Sequence, residues 1–319
     1  MTIAFKALQC PQCSGALPRV ALWKWVECPW CHTTVTLGEE TVRRKDFLDA
    51  WLRLCELQRN ARSGRQLQTD THTYSRVHSI FTRTGLEVCA ADRETTYPQR
   101  VVLHVASDAV TSARLLRSWS VHQHFQADSG TSAAMLRLRM PRAWALESDS
   151  AQQRSVLVSH YPRLFEGTLA DVLVAAPSGI DAGHAVWLWR RVLGALRYLH
   201  ECGWVHAQVA PEHVLINSRD HLCLLLGWSQ ARTDASARAR AHDLSQAAWC
   251  IRAALAGNVD VEPPVRCSGA LGALLQRCCD DTAWLATQSA AALDVQIVTA
   301  AQSDFGPPKF VPFNVFSRT

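Results

Sequence analysis

The sequence predicts an α+β protein in which a small cysteine-bearing segment precedes a run of strands and then a run of helices. Three observations carry that prediction. Two Cys-x-x-Cys pairs lie near the N-terminus, alternating apolar segments fill Tyr74 to Ser107, and apolar stripes at helical spacing take over from Gly183 onward.

A chain of 319 residues with 48% apolar content and 12 tryptophans has enough apolar surface for more than one buried core. Its formal charge of +5 is a mild basic excess, which points to no acidic partner by itself. No apolar run reaches the roughly 20 residues a bilayer requires, and no charged-then-apolar leader precedes Cys10. The expectation is a soluble cytoplasmic protein with no membrane contact.

The N-terminal segment, residues 1–40, is built around Cys10-Pro-Gln-Cys13 and Cys28-Pro-Trp-Cys31, separated by 14 residues. Each Cys-x-x-Cys turn aims two thiolates at one point, and two such turns complete a tetrahedral set for Zn2+. Strands are expected in LPRVALWKWVE and in TTVTLGE, so the segment resembles a zinc ribbon. A redox dithiol or four core cysteines are the competing readings. Closed four-thiolate coordination would make the zinc structural, with no open position for chemistry. Lys24 between Trp23 and Trp25 also admits a nucleic-acid face, although a packed ribbon core explains the tryptophans more simply.

Residues 41–72 read as an amphipathic linker helix. Phe47, Leu48, Trp51, Leu52 and Cys55 fall at helical spacing, and arginines interleaved with acidic residues fill the other positions. A solvated face is favoured over a nucleic-acid contact. Ser63-Gly64 ends the helix, and QLQTDTHT follows as a polar connector.

From Tyr74 the alternation YSRVHSIFTR, LEVCAAD, RVVLHVAS predicts three strands, followed by a helix in SARLLRSWSVHQHF and by strands in AAMLRLRMPRAWAL and RSVLVSHYP. LFEGTLADVL then begins a helical region. GHAVWLWRRVLGALRYLHEC places Leu188, Val192, Leu196 and Leu199 on one buried stripe, and Gly203 ends it. After it comes His206-Ala207-Gln208-Val209-Ala210-Pro211-Glu212-His213-Val214-Leu215-Ile216, then a hairpin at Ser218-Arg219-Asp220 and a strand that leads to Leu226-Gly227-Trp228.

This order of elements and the text around His206 resemble a protein kinase, with residues 73–168 as the small lobe, 169–304 as the helical lobe and 305–319 as a tail. The resemblance implies an α+β, protein kinase-like two-lobed domain preceded by a small zinc-ribbon domain. It also implies where chemistry should sit. His104 stands where a kinase carries its phosphate-neutralising lysine, and the following helix offers no glutamate between Glu94 and Glu147. A single glycine, Gly85, replaces the phosphate-cradling glycine turn. Gln208 stands at the catalytic aspartate and cannot accept a proton. Ala210 stands at the lysine, His213 at the metal-binding asparagine, and Leu226 at the second metal ligand, although Mg2+ needs oxygen. Asp243 resembles the aspartate that caps catalytic-loop amides.

The resemblance therefore implies a catalytically inactive pseudokinase: a scaffold or regulator that works through an unidentified protein partner, with structural Zn2+ on Cys10, Cys13, Cys28 and Cys31. No catalytic residue and no ATP or Mg2+ binding are expected. The alternatives are a kinase fold repurposed for another nucleotide reaction and a zinc-ribbon nucleic-acid module. The clustering of His104, His206 and His213 as a metal set is disfavoured, because no carboxylate or cysteine completes it.

Overall fold

The structure is a computed structural model that describes residues 2–5, 25–27, 34–36, 40–43, 65–95, 99–160, 165–259 and 267–316. The four N-terminal cysteines lie outside these residues. Near them, β1 (Thr2–Phe5) pairs antiparallel with β4 (Glu40–Arg43), and β2 (Trp25–Glu27) pairs with β3 (Thr34–Thr36), placing Trp25 opposite Thr36.

Most of the expected linker helix lies outside the described residues as well, and the two ends that are described are strands. Val42 and Arg43 belong to β4, and Arg65–Gln68 forms β5 where a polar connector was expected. Its Arg65 guanidinium pairs with Glu87 at 2.8 Å, while Leu67 alone turns inward. One apolar residue among polar ones is too little alternation to mark an edge strand in sequence.

Contacts divide the chain into two compact units. The first holds a six-stranded sheet of order β5-β6-β7-β8-β10-β9, formed with β6 (Thr73–Arg83), β7 (Leu86–Arg93), β8 (Gln99–Ala106), β9 (Arg142–Asp149) and β10 (Arg154–His160). The three strands expected between Tyr74 and Ser107 are present. One face is sealed by Tyr74, Cys89, Ala91, Leu103, Val156 and Val158, the period-2 signature of a half-buried sheet. Gly85 makes the β6–β7 turn at φ +78°, and a side chain there would run into Asp108.

Glu147, buried on β9, pins the entry to this sheet. It accepts hydrogen bonds from Thr69 Oγ1 at 2.6 Å and Tyr74 OH at 2.9 Å, and meets His72 Nδ1 at 2.8 Å. Burial alone would raise its carboxyl, but these bonds outweigh burial and hold it below the usual carboxylate range.

Helix α1 (Ala109–Ala127) carries the chain into the second unit. The first half of the expected strand AAMLRLRMPRAWAL is instead helix α2 (Thr131–Arg137), and only Arg142 onward is strand. Ala133 and Leu136, three apart, are buried together, a helical pairing, and Pro141 precedes β9.

The second unit is built on α4 (Ala182–Glu201), which follows β11 (Gly167–Thr168) and α3 (Leu169–Ala175). The expected stripe is wider than Leu188, Val192, Leu196 and Leu199: Trp189, Leu193 and Ala195 are buried too, so α4 is covered on most of its circumference. Helices α5 (Ala237–Ala256), α6 (Gly269–Asp280), α7 (Thr282–Leu285) and α8 (Ala290–Phe305) complete the unit, and Gly257 caps α5. The described tail folds back onto this unit, with Phe313 buried against His184 and Trp187 at 4.9 and 5.4 Å. Among the described residues no helix is long and apolar enough to cross a membrane.

Replacing Glu147 by Ala is expected to destabilise the protein by about 2 kcal/mol or more, because the donors of Thr69 and Tyr74 lose a buried acceptor. Chemical denaturation checks this, and a loss below about 0.5 kcal/mol would show that the network is dispensable.

Candidate functional site

The candidate site is the loop after α4. The helix stops at Cys202, β12 (Trp204–Val205) follows, and the chain passes through a 3-10 turn at Pro211–His213 into the hairpin β13 (Val214–Asn217) and β14 (Leu222–Leu225). After Leu226 and Gly227 a second 3-10 turn, Trp228–Gln230, leads to β15 (Arg232–Thr233), which pairs back on β12. A loop of this length needs acceptors for its backbone donors once buried.

Asp243, fully buried on α5, supplies them. Its Oδ1 accepts the Ala207 amide at 2.7 Å, and its Oδ2 accepts the His206 amide at 2.8 Å and meets His200 Nε2 at 3.0 Å. Gln246, one turn further along, accepts the Val209 amide at 3.0 Å. Both carboxylate oxygens are therefore committed to the loop. Asp243 holds Ala207 at φ +61°, a left-handed conformation that costs an alanine about 1–2 kcal/mol.

The histidines close the loop from inside. His206 is fully buried, and its Nε2 donates to the Leu226 carbonyl at 2.8 Å, which fixes the tautomer. Burial pushes its pKa down to about 4 despite the pull of Asp243. His213 Nδ1 donates to the Gln208 carbonyl at 2.8 Å. Its ring lies where a side chain on Gly227 would start, only 2.5 Å from that Cβ position, and Gly227 sits at φ +79°. Trp228 is buried, donates its indole N–H to the Leu225 carbonyl at 2.8 Å and meets the His206 ring edge-on at 4.9 Å. On the C-terminal half of α1, His122 and Phe125 approach the same indole, with ring centroids at 6.1 and 6.4 Å.

Each sequence-predicted position can now be placed. Gln208 and Ala210 are half-buried beside the loop, His213 is tied to the Gln208 carbonyl, and Leu226 offers its carbonyl to His206 and its amide to the His213 carbonyl. The only carboxylate among residues 206–218 is the exposed Glu212. His104 belongs to the sheet unit, where it sits on β8 between Val88 and Leu157. Burial pushes its pKa to about 4, so it is neutral at pH 7. Among the described residues no three His, Cys, Asp or Glu side chains gather as a metal set. Sequence reasoning missed His200, Gln246 and the Trp228 plug. The available signals were a histidine and a glutamine on otherwise apolar helix faces.

No family model matches the chain, and no curated protein matches it in sequence. Solved structures do match in shape. The structure of vaccinia related kinase 3 is similar over 77% of this chain and 93% of its own, at a TM-score of 0.56 and 16% identity. The crystal structure of the BubR1 kinase domain is similar over 81% of this chain and 93% of its own, at a TM-score of 0.56 and 11% identity. At such identities the likeness establishes a kinase-like fold and nothing of activity.

Substituting Asp243 by Ala leaves two loop amides and His200 facing a dry pocket, and is expected to cost about 3 kcal/mol or more in urea denaturation. A loss under about 1 kcal/mol would contradict the role assigned to it.

His206 makes stability acid-sensitive. With a folded pKa of about 4 against an ordinary 6.5, it binds fewer protons folded than unfolded between those values. Its contribution is complete above pH 6.5 and declines as pH falls toward 4, by up to about 3 kcal/mol. His206→Gln retains a donor for Leu226 but does not titrate, so the stability difference between pH 7 and roughly 4.5 should shrink. An unchanged difference would remove His206 as a cause.

Proposed function

We propose that this chain is a catalytically inactive kinase-like protein that acts as a scaffold or regulator through protein–protein contacts in the cytoplasm. The observation that carries the reading is an asymmetry within one loop. The bonds that shape the loop run through Asp243, Gln246 and His206. Every position at which the kinase resemblance places chemistry holds a group unsuited to it: Gln208, Ala210, His213 and Leu226 here, and His104 on β8. Gln208 takes up no proton from a hydroxyl at usable pH, and Leu226 offers Mg2+ no side-chain oxygen. The binding partner is a protein. Cys10, Cys13, Cys28 and Cys31 hold one structural Zn2+, which organises the N-terminal segment for docking.

Thermal unfolding with roughly millimolar ATP and Mg2+ tests the inactive reading, because any ligand that binds the folded state raises Tm. The expected result is no metal-dependent shift, and a shift of several degrees would overturn it. Metal analysis of the same preparation is expected to find one zinc per chain, lost when Cys28 is changed to Ser; zinc-free, folded protein would remove the ribbon.

A further inference from the structure

A second feature lies away from the loop, along the outer side of α4. Residues 187, 190, 191, 194, 197 and 198 recur at spacings of three and four and form one stripe of that helix. They line a cleft of about 360 Å³ together with Arg139 and the N-terminal turns of α8. The apolar lining consists of Leu193 and Val295 with three small residues, Gly194 on α4 and Ala290 and Ala291 on α8. Four guanidinium groups stand around it, from Arg139, Arg190, Arg191 and Arg197, against one carboxylate in the lining, Asp294.

The charges are unevenly compensated. Arg190 is engaged by Asp294 through two bonds, at 2.7 and 3.3 Å, and Arg197 by Glu201 at 2.9 Å. Arg139 and Arg191 have only neutral acceptors, the Met135 carbonyl at 2.7 Å and the His221 carbonyl at 2.8 Å. Both remain cationic at pH 7. Burial depresses both; Arg139 is pushed further by Arg191 and Arg197 against an opposing pull from Tyr198, and Arg191 by Arg190 against Cys223 and Asp294. The groups are also held in place. The Arg139 and Arg197 guanidinium carbons lie 4.7 and 5.4 Å from the centre of the Tyr198 ring. Trp187 is clamped parallel to His221 at 4.4 Å.

A solvated arginine face scatters flexible cations over open surface. Here two guanidinium groups bonded to carbonyls rather than carboxylates border the concavity, Arg139 held over the Tyr198 ring and Arg191 tied to the His221 carbonyl. Guanidinium forks match the oxygens of phosphate, and phosphoryl oxygens would add negative charge beyond that of Asp294, whose hydrogen bonds go to Arg190. The volume falls in the range of small-molecule sites, about 300–1,000 Å³.

We propose that the cleft between α4 and α8 binds a small phosphorylated metabolite, with Arg139 and Arg191 as the phosphate-binding residues and Gly194 leaving room for it in the lining. The site lies within the helical unit and is independent of whether the loop is catalytically inactive.

Isothermal titration of the full chain with pyrophosphate, at low and at physiological salt, tests this. Saturable binding to one site per chain is expected, weakening as salt rises. The double change Arg139→Gln/Arg191→Gln should weaken it at least about tenfold. Gly194→Leu should abolish it by placing a side chain in the lining beside Arg139, while helix propensity keeps that variant folded. Absence of saturable binding at low salt overturns the proposal, and so does affinity unchanged in folded Gly194→Leu protein. A phosphoserine peptide that binds more than about tenfold tighter than pyrophosphate would overturn the metabolite assignment in favour of a protein ligand.

Discussion

The helical unit depends on one buried carboxylate. Asp243 takes two consecutive backbone amides from a loop that would otherwise bury unsatisfied donors, and a histidine, His200, from α4. A buried charge is tolerable only when it is well hydrogen-bonded, and here two of its three donors are amides of the loop itself. This explains why an alanine stays at positive φ beside it, and why His206 turns inward to close the loop against Leu226. The hairpin, the second 3-10 turn and the Trp228 plug then follow from where that loop is held.

Structural and chemical roles in the loop separate cleanly. The groups that shape it are an aspartate, a glutamine amide oxygen and the His206 imidazole, each bonded to backbone of the loop. The groups at its chemically exposed positions are an amide, a methyl, an imidazole tied to a carbonyl, and an isobutyl. Gly227 and His213 show the same adaptation at closer range. A ring at 213 lies where a side chain at 227 would begin, so the two positions are matched to each other.

Much of this was legible in the sequence because the signals were periodic or fixed in spacing. Alternation between Tyr74 and Ser107 marked three strands, and the Leu188–Leu199 stripe marked the central helix. The text from His206 to Ile216, followed by Asp243, marked the loop and its cap. What was not legible depended on tertiary partners. AAMLRLR carries apolar residues compatible with either period, and the burial of Ala133 with Leu136 decides for helix. Arg65–Gln68 is a strand because Leu67 finds a core and Arg65 finds Glu87, facts remote in sequence. The arginine-lined cleft was hidden because Arg139 is more than forty residues from its companions.

The most direct test of the account is native-state hydrogen exchange at the His206 and Ala207 amides, followed with and without ATP and Mg2+. If Asp243 makes the loop part of the global folding unit, both amides exchange only through complete unfolding, with protection equal to global stability and indifferent to nucleotide. Rapid exchange through local opening, or protection that rises when ATP and Mg2+ are added, would contradict it.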